Sequence, residues 1–297
     1  MPATKKKFHI SRVLIHLIFI LLALTCILPL VIILSISLTE ENTLITYGYS
    51  LLPKNITGYA YSYVFSGASS VMQAYGVTIL VTVIGTFLHL LTTAMLAYAL
   101  TRKEVTARNK ISFFVFFPVL FSGGLVPYYM LLTKYLHLKN TIWALVAGGI
   151  VSPMNVIIMK NFFRTIPESL IESARIDGSS EYRTLFQIVM PLSTPSIATI
   201  GLLTAIAYWN NWMQCALYIE TPKLYTLQYL LQSLMNNIKY LQANAGMIKG
   251  MEQALLGLPS ESARMATCIL SIGPIILLYP LIQKYFEKGL TIGAVKE

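Results

Sequence analysis

Six long stretches of this chain carry no Asp, Glu, Lys or Arg: Val13–Leu38, Gly76–Leu100, Ile111–Leu132, Thr141–Met159, Ile197–Ile219 and Met265–Ile282. Crossing about 30 Å of hydrocarbon takes a helix of about 20 apolar residues, so each stretch meets or closely approaches the length of a membrane span. The pattern predicts an all-α, polytopic membrane protein with six transmembrane helices. Composition agrees: 56% of the 297 residues are apolar and 11% charged, whereas a soluble domain carries roughly 25% charged residues. Too few charges remain to cover a water-facing surface. A disordered chain, a secreted disulfide scaffold and a soluble cytosolic enzyme are excluded.

The net charge of +10 would suggest nucleic-acid binding in a soluble protein, but its distribution points to topology and to no nucleic acid. Of the 22 Lys and Arg residues, 15 fall in segments 1–12, 101–110, 160–196 and 283–297, and 7 fall in the intervening segments. With an odd number of crossings between the two sets, the 15 to 7 split satisfies the positive-inside rule and predicts that both termini are cytoplasmic, in a multi-pass protein of a bacterial plasma membrane. Val13–Leu38 is longer than a signal-peptide core and lacks a small-x-small cleavage site before Thr39-Glu40-Glu41-Asn42, so it is expected to be a retained first helix. Cys26, Cys215 and Cys268 all lie inside apolar stretches and are odd in number, which gives no disulfide framework.

Between the stretches, three longer segments differ in character. Thr39–Tyr75 is aromatic and poor in charge, as an interfacial outer loop would be. Glu220–Arg264 places amides among leucines and methionines and is expected to form outer helices. Lys160–Ser196 has the clearest local grammar. Thr165 and Glu168 have capping-box spacing, and Pro167 falls in the first turn, where its missing N–H costs nothing. A helix is expected from there through Leu170, Ile171 and Ala174, ending at Gly178 in a left-handed conformation. Ser179 or Ser180 would cap a second helix through Tyr182, Leu185, Phe186 and Val189 that stops at Pro191. On physical grounds alone, an ordinary amphipathic connector between two spans accounts for this segment equally well.

Glu172-Ser173-Ala174-Arg175-Ile176-Asp177-Gly178, continuing to Phe186-Gln187-Ile188-Val189-Met190-Pro191, resembles the EAA loop of bacterial ABC-importer permeases, whose pattern is E-A-A-x-x-D-G followed by I-x-L-P. Glu172, Ala174, Asp177, Gly178, Ile188 and Pro191 match; Ser173 and Met190 depart conservatively. Gly289-Leu290-Thr291-Ile292-Gly293-Ala294-Val295-Lys296 resembles the tail of the maltose-type carbohydrate permeases, and Trp209-Asn210-Asn211-Trp212 resembles the W-N-x-[FW] run of their fifth helix. Phe121–Pro127 and Ile157–Phe163 are similar to a Gram-positive subgroup tied to complex oligosaccharides.

The resemblance implies a basic cytoplasmic N-terminus over residues 1–12, a transmembrane permease domain over 13–288 with a coupling loop at 160–191, and a cytoplasmic tail over 289–297. It further implies that the loop docks in a cleft of an ATPase subunit, with Glu172, Ser173, Ala174, Asp177 and Gly178 at the contact. The tail, through Gly293, Ala294, Val295 and Lys296, would reach the ATPase interface. The implied partners are a second homologous permease, two cytoplasmic ATPase subunits, an extracellular sugar-binding lipoprotein and membrane lipids. Such a chain has no catalytic residues and binds no cofactor or metal. ATP and Mg belong to the ATPase partners.

For the substrate route, Tyr208-Trp209-Asn210-Asn211-Trp212-Met213-Gln214 puts aromatics and amides in the outer half of a span. Such amides are costly against lipid unless they face a cavity or partner. Ring faces that stack on sugars and amides that bond hydroxyls suit an uncharged oligosaccharide, although an interfacial aromatic belt explains the tryptophans as well. Helical spacing favours Tyr208, Asn211 and Trp212 on the pathway face, sharing it partly with Trp209, and turns Asn210 toward a neighbour. Asn155 and Ser152 beside Pro153 are further candidates.

No Asp or Glu lies in any of the six stretches, which disfavours an ion-coupled carrier. There is no G-x-x-x-x-G-K-[ST] phosphate loop. His9, His16, His89 and His137 lack metal-ligand spacing and are expected to be packing or interfacial residues. The reading is a permease subunit of an ATP-driven importer of carbohydrate, an oligosaccharide by preference. The alternatives are an ABC permease for a non-sugar solute and, from another class, an ion-coupled carrier or channel.

Overall fold

The computed structural model of the chain describes residues 10–121, 123–243 and 259–276. Among the described residues regular structure is helical, with one isolated bridge between Thr39 and Ile56. They divide between two compact units, one drawn from Met1–Ala68 with Leu234–Ile272 and one from Ser69–Ser233 with Gly273–Glu297.

The first unit holds α1 (Ile10–Ser37), α2 (Glu41–Tyr47), α3 (Tyr59–Val64) and, as far as Ile272, a helix over 261–276, α15. Its leading helix is apolar on every side and leaves Leu14, Leu17, Phe19 and Leu22 more than half exposed, as a helix facing lipid must.

The second unit is built on α4 (Ala68–Thr101). Its 34 residues extend about 50 Å, more than a bilayer core requires. Then follow α5 (Arg108–Leu120), α6 (Leu125–Met130), α7 (Ile142–Ala147), α8 (Pro153–Phe163), α9 (Glu168–Ile176), α10 (Glu181–Thr184), α11 (Met190–Leu192), α12 (Thr194–Trp209) and α13 (Trp212–Tyr218). The amphipathic α14 (Leu227–Ala243) runs out of this unit. The core joins Ala94, Ala97 and Leu100 of α4 to Val156, Met159 and Phe163 of α8 and Ile200 of α12.

Six unbroken helices are not what the described residues contain. Two helices reach spanning length alone, Leu14–Ser37 and Ser70–Thr101. The stretch 111–132 is interrupted after Leu120 and resumes at Leu125, beside Gly124 at φ +80°. The stretch 141–159 breaks between Ala147 and Pro153, because Pro153 holds the preceding Ser152 in extended backbone. The stretch 197–219 breaks at Asn210 and Asn211, where the Asn211 side chain caps α13 by accepting from the Gln214 N–H at 3.2 Å. The last stretch is described only as far as residue 276.

Candidate functional site

A break in a buried apolar helical stretch frees backbone carbonyls that must find other donors. At the break between α7 and α8, two carbonyls inside it and one in the last turn of α7 accept from side chains. His89 Nδ1 donates to Gly149 O at 2.7 Å, Thr92 Oγ1 to Ile150 O at 2.7 Å, and the Tyr208 hydroxyl to Val146 O at 2.8 Å. The donors come from α4 and α12, so the break is held from two sides. Glycine makes room for this. A Cβ on Gly149 would lie 2.5 Å from the Tyr208 hydroxyl oxygen, and one on Gly85 would lie 2.5 Å from its ring.

The break walls a cavity of about 250 Å³ lined by Gly148, Gly149, Ser152 and Asn155 together with His89, Leu203, Thr204, Ala207, Tyr208, Asn211 and Gln214. Because Nδ1 of His89 is committed as a donor to a carbonyl, the neutral ring leaves Nε2 as an acceptor, and Asn155 Nδ2 lies 2.9 Å from it. That bond orients the Asn155 amide. Across the cavity, Thr204 Oγ1 and Gln214 Oε1 are buried without a hydrogen-bond partner. Such orphaned polar atoms are uncommon in a finished interior. Every polar group of this lining is uncharged in the bonding pattern described.

Of the residues expected on the substrate route, Tyr208, Asn211, Asn155 and Ser152 meet at this cavity, whereas Trp209 and Trp212 do not line it. The shared face expected for Tyr208, Asn211 and Trp212 assumed one continuous helix, and the break at Asn210 and Asn211 ends it. Trp209 is buried, 6.4 Å between centroids from Tyr75, and Trp212 is 43% exposed. Asn210 is exposed, and its amide donates to Ile206 O at 3.0 Å. The sequence placed Gln214 in the aromatic and amide run and gave His89 a packing or interfacial role, without assigning either to the substrate route. The available signal was a lone histidine and a glutamine in stretches free of Asp, Glu, Lys and Arg, together with a Gly-Gly pair shortly before a proline.

The second site is the loop from α9 through α12. Gly178 stands at φ +77° and its N–H bonds Arg175 O, so the elbow is present. Ser180, not Ser179, caps the second helix, accepting from Arg183 N. The expected capping box is not formed. Thr165 Oγ1 instead donates to Phe162 O at 2.7 Å, and the helix begins at Glu168, because Ile166 precedes a proline and resists helical backbone. Nor does the second helix stop at Pro191. It passes through a wider π-helical stretch, Leu185–Val189, and continues to Leu192 before an 84° bend into α12.

Glu172, Ser173 and Asp177 are exposed on this loop, as is Ile176 at 86%. Ala174 is 7% exposed and packs inward with Ile171, so its small size serves this chain's own core and leaves the outer face to its neighbours. Arg175 clamps the loop, bonding Glu104, between α4 and α5, and Glu181 at 2.8 Å. The Arg175 guanidinium holds the Glu104 carboxyl down at about 2. Burial opposes ionisation of Glu181, but the Tyr98 hydroxyl at 2.5 Å and Arg175 outweigh it and lower its pKa. The expected tail contacts Gly293, Ala294, Val295 and Lys296 lie outside the described residues.

Residues 105–292 match the family model for the binding-protein-dependent transport system inner membrane component. This chain belongs to that family. Among similar proteins, the polygalacturonan/rhamnogalacturonan transport system permease protein YtcP of Bacillus subtilis is 36% identical over 292 residues, covering 98% of this chain and 99% of the relative. Protein LplC of the same organism is 38% identical over 270 residues, covering 91% and 89%. A crystal structure of a bacterial ABC transporter involved in the import of the acidic polysaccharide alginate matches with TM-score 0.79 at 28% identity, over 96% of this chain and all of that one. As a member of the family the chain is a non-catalytic permease subunit of an ABC importer, and it resides in the membrane.

Proposed function

We propose that this permease forms half of a translocation pathway for an oligosaccharide and that the cavity at the α7–α8 break is where the chain meets it. The observation that carries this is the pair of buried, unpartnered oxygens, Thr204 Oγ1 and Gln214 Oε1, facing an Asn155 amide oriented by His89. Hydroxyl groups donate to such acceptors and accept from such amides. At about 250 Å³ the cavity is below the roughly 300–1,000 Å³ of a complete small-molecule site, which fits a half-site completed by a second permease. Relatives named for polygalacturonan/rhamnogalacturonan, arabinooligosaccharide and galactooligosaccharide transport support the carbohydrate class. A second reading, an acidic saccharide, is favoured by the polygalacturonan and alginate relatives; its carboxylates would then be met outside this uncharged lining.

In the same reading six spans cross the membrane with both termini cytoplasmic, three of them broken as described. The α9 elbow docks on an ATPase subunit through Glu172, Ser173, Ile176 and Asp177, and the 289–297 tail contacts the ATPase pair. A second permease, two ATPase subunits that use ATP and Mg, and an extracellular sugar-binding lipoprotein complete the importer.

The test is to express the chain with candidate partner permeases, ATPases and binding proteins and measure ATP hydrolysis against neutral and uronate oligosaccharides. Sugar-stimulated hydrolysis that falls about tenfold in Gln214→Ala and Asn155→Ala, with basal hydrolysis intact, is expected. Unaltered stimulation in both variants overturns the site.

A further inference from the structure

We propose that the cleft between the end of α4, the start of α5 and the turn from α8 into α9 binds the phosphodiester headgroup of an anionic membrane lipid. The cleft, about 430 Å³, is lined by Arg102, Lys103, Arg108 and Arg164, with Glu168 as the sole carboxylate in the lining. Glu168 is only 3.4 Å from Lys103, and both side chains are mostly exposed. Arg108 and Arg164 make no ion pair among the described residues. The Arg102 guanidinium lies 4.6 Å from the centre of the Tyr98 ring, and its buried Nε has no hydrogen-bond partner. Four cations sharing one cleft with one acid repel one another, and an anion placed among them removes that cost.

Position decides which anion. The apolar run of α4 ends at Leu100, another begins at Ile111, and a third ends at Met159, so these arginines sit within a few residues of three span ends, at the depth of lipid headgroups. Phe163, Ile166 and Ile171 line the same cleft. A charged wall meeting an apolar one matches a phospholipid at its glycerol level, whereas free phosphate could use the charged wall alone. The inference rests on the proposed placement of the spans, and not on which solute is carried.

The permease would be purified with its co-expressed partners in mild detergent and given phosphatidylglycerol or phosphatidylcholine, with bound lipid counted by native mass spectrometry. Arg108→Gln with Arg164→Gln would be compared with Lys54→Gln and Lys223→Gln, an equal loss of charge outside the cleft. One tightly held phosphatidylglycerol is expected, with no equivalent for phosphatidylcholine. Removing a cation near a headgroup weakens it about fivefold, so the cleft pair should weaken it roughly 25-fold while the control pair leaves it unchanged. If the double variant does not assemble, each single substitution should give about a fivefold loss. Equal weakening by both pairs overturns the site, as does inorganic phosphate that competes as well as the lipid. Retained lipid with lost ATPase subunits would instead make the cleft a protein contact. The readout needs no transport, so it stands apart from any failure to find the sugar.

Discussion

The Glu41 carboxylate accepts from both the N–H of Ser262, at 3.0 Å, and its hydroxyl, at 2.7 Å, across 221 residues of sequence. Its other oxygen accepts from the Ser260 hydroxyl at 2.7 Å and the Glu261 N–H at 2.9 Å. The acid thus caps α15 from a distance, satisfying N–H groups that the first turn of a helix leaves free. Burial raises its pKa, but these four bonds outweigh burial and hold it below the ordinary 4.5.

Glu41→Gln keeps the shape and removes the charge, and its amide would turn donors toward donors. Hydrogen bonds to a charged group contribute about 1.5–3 kcal/mol, so a loss of about 3 kcal/mol is expected, read from denaturation of the purified complex. The folded pKa is depressed, so the contribution is whole above the unfolded carboxyl value and is lost as pH falls through the lower folded one. The wild-type advantage over Glu41→Gln should therefore be whole above the ordinary carboxyl range and shrink steadily as pH falls below it. A gap between the two that does not shrink at any acid pH would show that the charge is not what matters.

Gly178 at φ +77° has nothing within 4 Å of where a Cβ would stand. Space therefore does not forbid a side chain there; backbone conformation does. Gly178→Val should cost about 1–3 kcal/mol of local strain, redirecting the exposed Glu172, Ile176 and Asp177 while leaving the apolar core untouched. Membrane levels near wild type with sugar-stimulated hydrolysis reduced at least tenfold is the expected result. Gly178→Ala should be milder, because alanine lacks the β-branch. Wild-type coupling in the valine variant would detach the elbow from energy transfer.

His89 is expected to act by shape and hydrogen bonding. His89→Asn can still offer an N–H near the position of Nδ1 to Gly149 O, whereas His89→Leu leaves that carbonyl and the Asn155 amide without partners. A penalty of about 1–3 kcal/mol for each buried group left unsatisfied predicts that the leucine variant assembles poorly and the asparagine variant assembles but transports weakly. Equal behaviour of the two would mean that the break does not depend on this bond.

Much of this was legible in the residues. Uncharged length announced the two helices of spanning length, Leu14–Ser37 and Ser70–Thr101, and Gly178 followed by Ser179 or Ser180 announced the elbow, because a positive φ and an N-cap are local demands that particular residues meet. The breaks were harder. Gly148-Gly149 and Pro153 signal a bend, yet hydropathy averages over them, and whether a helix continues depends on a donor from elsewhere, here His89, Thr92 and Tyr208. The cavity was legible only in part for the same reason. Asn155 and Asn211 stand out as amides in apolar runs, but the place of Trp212 turned on a helix that ends at Trp209, three residues before it. Thr165 had the spacing of a cap and lost that role to the proline after Ile166.

Tyr208 lines the cavity, yet its hydroxyl is already donated to Val146 and its ring lies where Cβ atoms on Gly85 and Gly149 would stand. The geometry gives it a wedging role separable from substrate contact. Gly149→Ala forces overlap with Tyr208 and should destabilise by about 1–3 kcal/mol. In a Tyr208→Ala background the same methyl enters vacated space and should cost almost nothing, a coupling of about 1–3 kcal/mol between residues in contact. Tyr208→Ala alone, which leaves a cavity, should lower stability by about 3–5 kcal/mol. Gln214→Ala should instead leave thermal unfolding near wild type and reduce uptake, whereas Asn155→Ala, which takes the partner from the buried His89 Nε2, should lower both. Additive effects of Gly149→Ala and Tyr208→Ala in the purified complex would remove the wedge, and unfolding lowered equally by Gln214→Ala would return that amide to the framework.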